Sequence, residues 1–298
     1  VAMKTGTKDR WELSRLDDVF AGAWRAYRRM CKHCRKAPTS ESIHQLRMLT
    51  RRLQASLDLL GPMLGDIPTG RFNTLLKPSF KAAGRIRDVQ LMRLQVETDS
   101  KRCSGTKGFA RELGRRERRC RRKFARELRN TRLAELKAMV RDVRERLQKA
   151  EAETRRGGRV EASIRKSVDG AFARTVSALR AMDPADPDSI HRVRIAFKNF
   201  RYMREAMAAV GSIPDGDQAA ALRAQQKLMG GIQDSRTLLA AVEKYLRREP
   251  EEAGRLRRFH GVVQRRHDRQ TKAYLRRADE LFALWKPAVA KRSGRSGS

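Results

Sequence analysis

His44, Arg47 and Arg51 stand at i, i+3 and i+7 in the stretch SIHQLRMLTRRLQASLDLL, residues 42–60. That spacing sets one imidazole and two guanidiniums on one face of an α-helix. The pattern returns in residues 189–207, SIHRVRIAFKNFRYMREAM, as His191, Arg194, Lys198 and Arg201. One offset, 147 residues, relates His44 to His191, Arg47 to Arg194 and Arg51 to Lys198. Such a face carries hydrogen-bond donors and positive charge, so its chemistry is anion recognition. Phosphate oxygens suit it best, because the guanidinium fork meets them in pairs and a protonated imidazole adds a further donor.

The elements that must position these groups follow from the apolar pattern. Leu46, Leu49, Leu53, Leu57 and Leu60 form a stripe roughly opposite the first cationic face, and Val193, Ala196, Phe200 and Met207 do so in the second copy. Ser42 with Gln45 has capping-box spacing. This predicts a helix starting at Ser42, with His44 and His191 in first turns, where free N–H groups and the dipole favour an anion.

In chain order the pattern predicts a helix from Asp9 to about Lys36, the first His helix ending at Gly61-Pro62, and a third helix to about Val96 that begins or kinks at Pro78. A long charged helix, about Phe109 to Arg156, is stopped by Gly157-Gly158. A fifth helix (Arg159 to Met182) leads into the turn Asp183–Asp188 and the second His helix, then a seventh to about Arg248 and an eighth from Pro250 to near Trp285. No segment reads as a strand. The expected fold is all-α: a single domain over 9–285, made of two pseudo-symmetric four-helix bundles (9–156 and 159–285), about eight long helices from an internal duplication, with a flexible basic tail at 286–298.

The offset recurs beyond the His helices. Gly84-Arg-Ile-Arg-Asp88 meets Gly230-Gly-Ile-Gln-Asp234 at 146 residues, which also pairs Lys77 with Arg223 and Lys81 with Lys227. At 147 residues Arg118 meets Arg265, Arg122 meets Arg269 and Arg129 meets Arg276. These faces are expected to converge with the His helices on one cationic surface. Asp88 and Asp234 would orient an Arg or Lys head. Most other basic residues of the Arg111–Arg129 run read as a solvated face.

Composition agrees with a polyanionic partner. The 69 Lys and Arg against 34 Asp and Glu give +35, and 51 of the cations are Arg. The chain is long enough to bury a core, and 40% hydrophobic residues supports one. Four cysteines make no disulfide framework, and Cys31-Lys-His33-Cys34 is only half of a zinc site, so no metal is expected. No apolar run approaches a membrane span and no secretory leader is evident, which predicts a cytoplasmic protein with no membrane partner. There is no phosphate-cradling G-x-x-x-x-G-K-[ST] loop, and no acid cluster with metal-ligand spacing. Neither a catalytic residue nor a cofactor is expected.

The repeated motifs resemble the CHAD family, the conserved histidine alpha-helical domain. The resemblance runs from about residue 9 to 285 and is carried by Ile43-His44-Gln-Leu-Arg47 with Arg51-Arg52, by Ile190-His191-Arg-Val-Arg194 with Lys198 and Arg201, and by the Gly84–Asp88 and Gly230–Asp234 segments. Two departures fall in the second half, where Asn199 replaces the second basic residue and Gln233 the Arg before Asp. The resemblance implies binding of inorganic polyphosphate in a basic central groove, with phosphate or sulfate ions as mimics, and allows location on polyphosphate granules. Relatives often carry a CYTH domain with an E-x-E-x-K motif. The nearest approach here, Glu151-Ala-Glu153-Thr-Arg155, lies in a helical pattern and has Arg for Lys, so a stand-alone form is expected. The alternative reading is non-specific binding of nucleic acid through its phosphate backbone at low salt. Against it stand an aromatic content of 6% and the lack of an aromatic stripe beside the cations.

Overall fold

Apolar residues recurring every three or four positions wind the chain into nine α-helices among the described residues of this computed structural model, 13–65, 69–153, 158–186, 188–211 and 216–286. They are α1 (Leu13–Lys36), α2 (Ser40–Leu64), α3 (Thr69–Ser100), α4 (Lys107–Arg129), α5 (Leu133–Glu153), α6 (Gly158–Arg180), α7 (Ser189–Ala208), α8 (Gly216–Leu246) and α9 (Ala253–Leu275), with 3₁₀ turns at Pro250–Glu252 and Ala278–Leu284. No strand occurs among the described residues, and none of their helices is long and apolar enough to cross a membrane. The expected termini 9–12 and 287–298, and the Gly157 stop, lie outside the described residues.

Three local expectations are corrected. The long charged helix is two helices: Asn130 closes α4 with its N–H on the Arg126 carbonyl, and the Thr131 hydroxyl turns back to the Glu127 carbonyl at 3.0 Å. Both residues favour such local bonds over helix continuation, a stop signal without Gly or Pro. The chain reverses there, and α5 returns along α1, held by Arg144 gripping Asp17 through two bonds of 2.6 and 2.7 Å. Secondly, α2 starts at Ser40. Thr39 is its cap: the Thr39 hydroxyl accepts from the Ser42 N–H at 3.1 Å and Ser42 Oγ accepts from the Thr39 N–H at 2.9 Å. Ser42 is therefore the third helical residue and His44 belongs to the second turn. Lastly, Pro62 does not end α2 and Pro78 does not begin α3. Pro62 lies in the last turn of α2, and α3 runs through Pro78, burying Phe72 and Leu76 before it and Ala82, Ala83 and Ile86 after it. Burial on both sides offsets the lost hydrogen bond.

The core does not divide at the Gly-Gly break. The larger cluster joins α1, α2 and α5 to α6 and α7, through Phe20, Tyr27, Leu53, Leu57, Val168 and Phe197, and takes in the first parts of α3 and α8. A second cluster joins the far ends of α3 and α8 to α4 and α9, through Val89, Met92, Leu238, Val242 and the ring contact of Phe109 with Phe259. Helices from both halves of the sequence thus share both cores. The cause is visible in α2, which buries Ile43, Leu46, Ala55, Leu59 and Leu60 as well as Leu53 and Leu57. This is more than one stripe, so α2 has neighbours on several sides and packs on α7 as well as α1 and α3. The four cysteines are free, three of them buried, and burial pushes the Cys31 thiol up to about 11.

Candidate functional site

The contact of α2 with α7 brings the two cationic faces together. On α2, Arg47 donates from Nη1 to the Phe80 carbonyl at 3.4 Å, and its guanidinium carbon lies 4.8 Å from the Phe80 ring centre; that of Arg51 lies at 4.4 Å. One turn beyond Phe80, Gly84 makes room for the head: a Cβ there would stand 2.5 Å from Arg47 Nη1. From α7 come Arg194 and Lys198. Among the described residues none of Arg47, Arg51, Arg194 and Lys198 makes an ion pair, and the buried Nε atoms of Arg51 and Arg194 find no acceptor.

The electrostatics register this crowding. Burial, then Arg194, Arg51, Arg47 and Arg201, bring the Lys198 ammonium down to about 7. Burial also lowers Arg47, Arg51 and Arg194, which stay charged. The His44 imidazole is lowered by burial first and by Arg87 next. Asp88 and Asp234 face the same group, and burial raises both carboxyls although Arg47 and Arg194 pull Asp88 down and Arg194 pulls Asp234 down. Asp88 is open to solvent yet flanked by charges from α2, α4 and α7, which places it in a concave groove. The expectation that these aspartates hold an Arg or Lys head by direct pairing is corrected: neither makes an ion pair among the described residues, and they act through the field alone.

His191 lies at the edge of this group. Its Nδ1 is 2.6 Å from Gln233 Oε1, and Gln233 donates its amide to Thr237 Oγ1 at 3.1 Å. With the Gln233 nitrogen committed to Thr237, its oxygen faces the ring, so Nδ1 carries the proton. Arg116 of α4, Arg236 and Lys244 of α8 join His191 and Gln233 around a cleft of about 370 Å³. The first-turn position read from the sequence does not hold for His44, which sits past a capped first turn, but holds for His191, the third residue of α7, whose flanking Asp188 and Asp186 pair with Arg236 and Arg192 at 2.7 Å each.

The fold agrees with known proteins. The CHAD domain model matches residues 21–243. This chain belongs to the CHAD domain family. It is similar to the crystal structure of the CHAD domain from the plant Ricinus communis, with 16% identity, coverage of 95% of this chain and 93% of that one, and a TM-score of 0.63. It is also similar to PptA from Streptomyces chartreusis, with 15% identity, coverage of 90% and 99%, and a TM-score of 0.61. No curated protein matches the chain in sequence.

Within this CHAD domain the residues singled out by sequence divide by position. His44, Arg47, Arg51, Arg194 and Lys198 meet at the centre, and His191 borders it. Arg201 is buried beside them but already paired with Glu205, its guanidinium 4.5 Å from the Tyr202 ring centre. Arg52 is exposed over another cleft, between α1, α2 and α7, with Val19 and Ala206. Lys77, Lys81, Arg223 and Lys227 are exposed on α3 and α8. Arg118 and Arg122 on α4, and Arg265 and Arg269 on α9, are exposed on the side opposite the buried Leu113, Phe124 and Leu128, or Phe259, Val263 and Tyr274. These four project from the sides of α4 and α9 turned away from the cores those helices pack on.

Sequence reasoning missed Arg87, Arg116 and Phe80. Arg87 stood inside the Gly84–Asp88 motif, and its replacement by Gln233 in the second copy was the available signal. Arg116 lies two residues before Arg118, far enough around the helix to face the groove and act on Asp88. Phe80 gave no signal, because an aromatic in an amphipathic helix reads as core.

Proposed function

We propose that the α2–α7 centre binds inorganic polyphosphate without turning it over. The carrying observation is that Arg47, Arg51, Arg194 and Lys198 converge, half-buried, with no ion pair among the described residues. Holding like charges together costs free energy that a bound polyanion offsets, and the depressed Lys198 reports that cost. Phosphate oxygens would also supply acceptors to the buried Nε atoms of Arg51 and Arg194. Each charge-assisted hydrogen bond contributes about 1.5–3 kcal/mol before entropy and screening. Several together give firm binding in which no single interaction dominates.

The linear polymer is preferred over nucleic acid for a specific reason. The aromatic rings at the centre, Phe80 and Tyr202, are covered by the guanidiniums of Arg47, Arg51 and Arg201, which leaves them poorly placed to stack a base. Long chains held in this way would recruit the protein to polyphosphate granules. The test is competition at physiological salt: polyphosphate should displace RNA at equal phosphate concentration, and RNA winning would overturn the reading. Sustained phosphate release with added Mg²⁺ or Mn²⁺ would overturn the non-catalytic part.

A further inference from the structure

Helix α4 carries eleven Lys and Arg against three Glu. Its apolar side, with Leu113, Phe124 and Leu128, is buried, and its opposite side exposes Arg118, Arg119, Arg122, Lys123, Arg126 and Arg129. The three glutamates are already used. Glu112 takes Arg115, Arg119 and Arg248, Glu117 takes Arg121 and Arg93, and Glu127 lies 3.5 Å from Arg126. Among the described residues Arg118, Arg122, Lys123 and Arg129 make no ion pair. A groove of about 410 Å³ on this outer side is lined solely by Arg119, Arg122, Lys123, Arg126 and Arg129. Cations four residues apart on one face repel one another and weaken the helix unless counter-charge offsets them.

We infer that the outer stripe of α4 is a second polyphosphate site, separate from the α2–α7 centre, so that one molecule engages a long chain at two places or links two chains. The inference rests on the reading that the centre binds polyphosphate. From Arg119 to Arg129 the stripe runs about 15 Å at 1.5 Å per residue, room for several consecutive phosphates but not for wrapping a polymer. Both aromatic residues of α4, Phe109 and Phe124, are buried, so the stripe offers cation-to-oxygen contacts and no stacking surface. Because the stripe lies on the side of α4 opposite the buried Leu113, Phe124 and Leu128, a tripolyphosphate held between α2 and α7 engages it less than a long chain does. The linked second contact raises affinity for long chains alone, and bridging between molecules condenses protein with polymer.

The test compares tripolyphosphate with long-chain polyphosphate, at equal phosphate concentration, on the full chain. In R122Q/K123Q/R126Q/R129Q all four changes are exposed and keep good helix formers, so folding is retained. This variant should bind tripolyphosphate like the wild type. It should lose about 100-fold of the long-chain advantage, and long chains should no longer make its solution turbid. An undiminished long-chain advantage overturns the inference. So does a variant that loses RNA binding while keeping the full long-chain advantage, since the stripe would then serve nucleic acid. Failure of the central reading looks different: R47E/R51E/R194E/K198E would then bind tripolyphosphate as tightly as the wild type, whatever the α4 variant does.

Discussion

The α2–α3 and α7–α8 sides of the centre use matching sequence positions in different ways. On the first side Gly84 leaves a slot for the Arg47 head, and the Phe80 ring and carbonyl seat Arg47 and Arg51. On the second, a Cβ on Gly230 would meet nothing within 4 Å, while the adjacent Gly231 is covered by Gln270. The substitutions there are put to structural use. Gln233, standing where Arg87 stands on the first side, holds His191 at 2.6 Å, and Asn199 donates to Asp58 at 3.3 Å. Where two cations are exchanged for amides, charge density falls but the imidazole is fixed in one tautomer. One side therefore concentrates charge on seated guanidiniums, and the other gives up charge for hydrogen-bonded order.

Four predictions press on this contrast, the largest first. Charge reversal on both helices, R47E/R51E/R194E/K198E, should abolish tripolyphosphate binding, weakening it by well over about 100-fold given the charge-assisted bonds removed. Calorimetry reads it, with circular dichroism to verify folding. If the two sides contribute unequally, R47E/R51E alone should cost more than R194E/K198E.

The pH dependence comes next. Lys198 has a folded-state value lowered to about 7, and a bound anion would return it toward the ordinary lysine range. Binding then takes up a proton, so affinity should rise about tenfold from pH 8 to pH 6. The lowered His44 imidazole acts in the same direction. Lys198→Arg, always charged, should keep the affinity and flatten most of the slope; an unaltered slope would remove Lys198 from the site. The sign reverses for the unliganded fold. The unfolded chain holds that proton up to the ordinary lysine value, so this term should raise stability as pH climbs through about 7 and beyond.

Gly84→Ala and Gly230→Ala separate the two sides most cleanly. Each should gain up to about 1 kcal/mol of helix stability. Only Gly84→Ala evicts the Arg47 head, so only it should weaken tripolyphosphate binding, by about tenfold for a single guanidinium displaced from the ligand. Equal weakening by the two variants would erase the distinction. The smallest effect belongs to Arg52→Ala, which should leave tripolyphosphate affinity within about twofold because the residue is exposed over the separate cleft between α1, α2 and α7.

Much of this was legible in residue periodicity. The all-α class and the pairing of His44, Arg47 and Arg51 with His191, Arg194 and Lys198 needed only spacing. Helix limits were less legible. Thr39 took the capping role expected of Ser42, and Asn130-Thr131 ended α4 with neither Gly nor Pro, because both outcomes depend on side chains bonding to nearby backbone. The site was legible in its types but not in its membership. Arg118, Arg122, Arg265 and Arg269 share the repeat spacing and are exposed opposite the buried sides of α4 and α9, whereas Arg87 and Arg116 join the centre.

By itself the sequence determined that this chain is helical, basic and marked by two similar His-Arg faces, because helical periodicity and charge are properties of local order along the chain. Only the tertiary structure decided that the two faces meet, through α2 packing on α7, and that the α4 stripe stays outside. A helix turns every cation on one side toward a common direction, but what lies in that direction is set by the packing of its apolar side against elements distant in sequence.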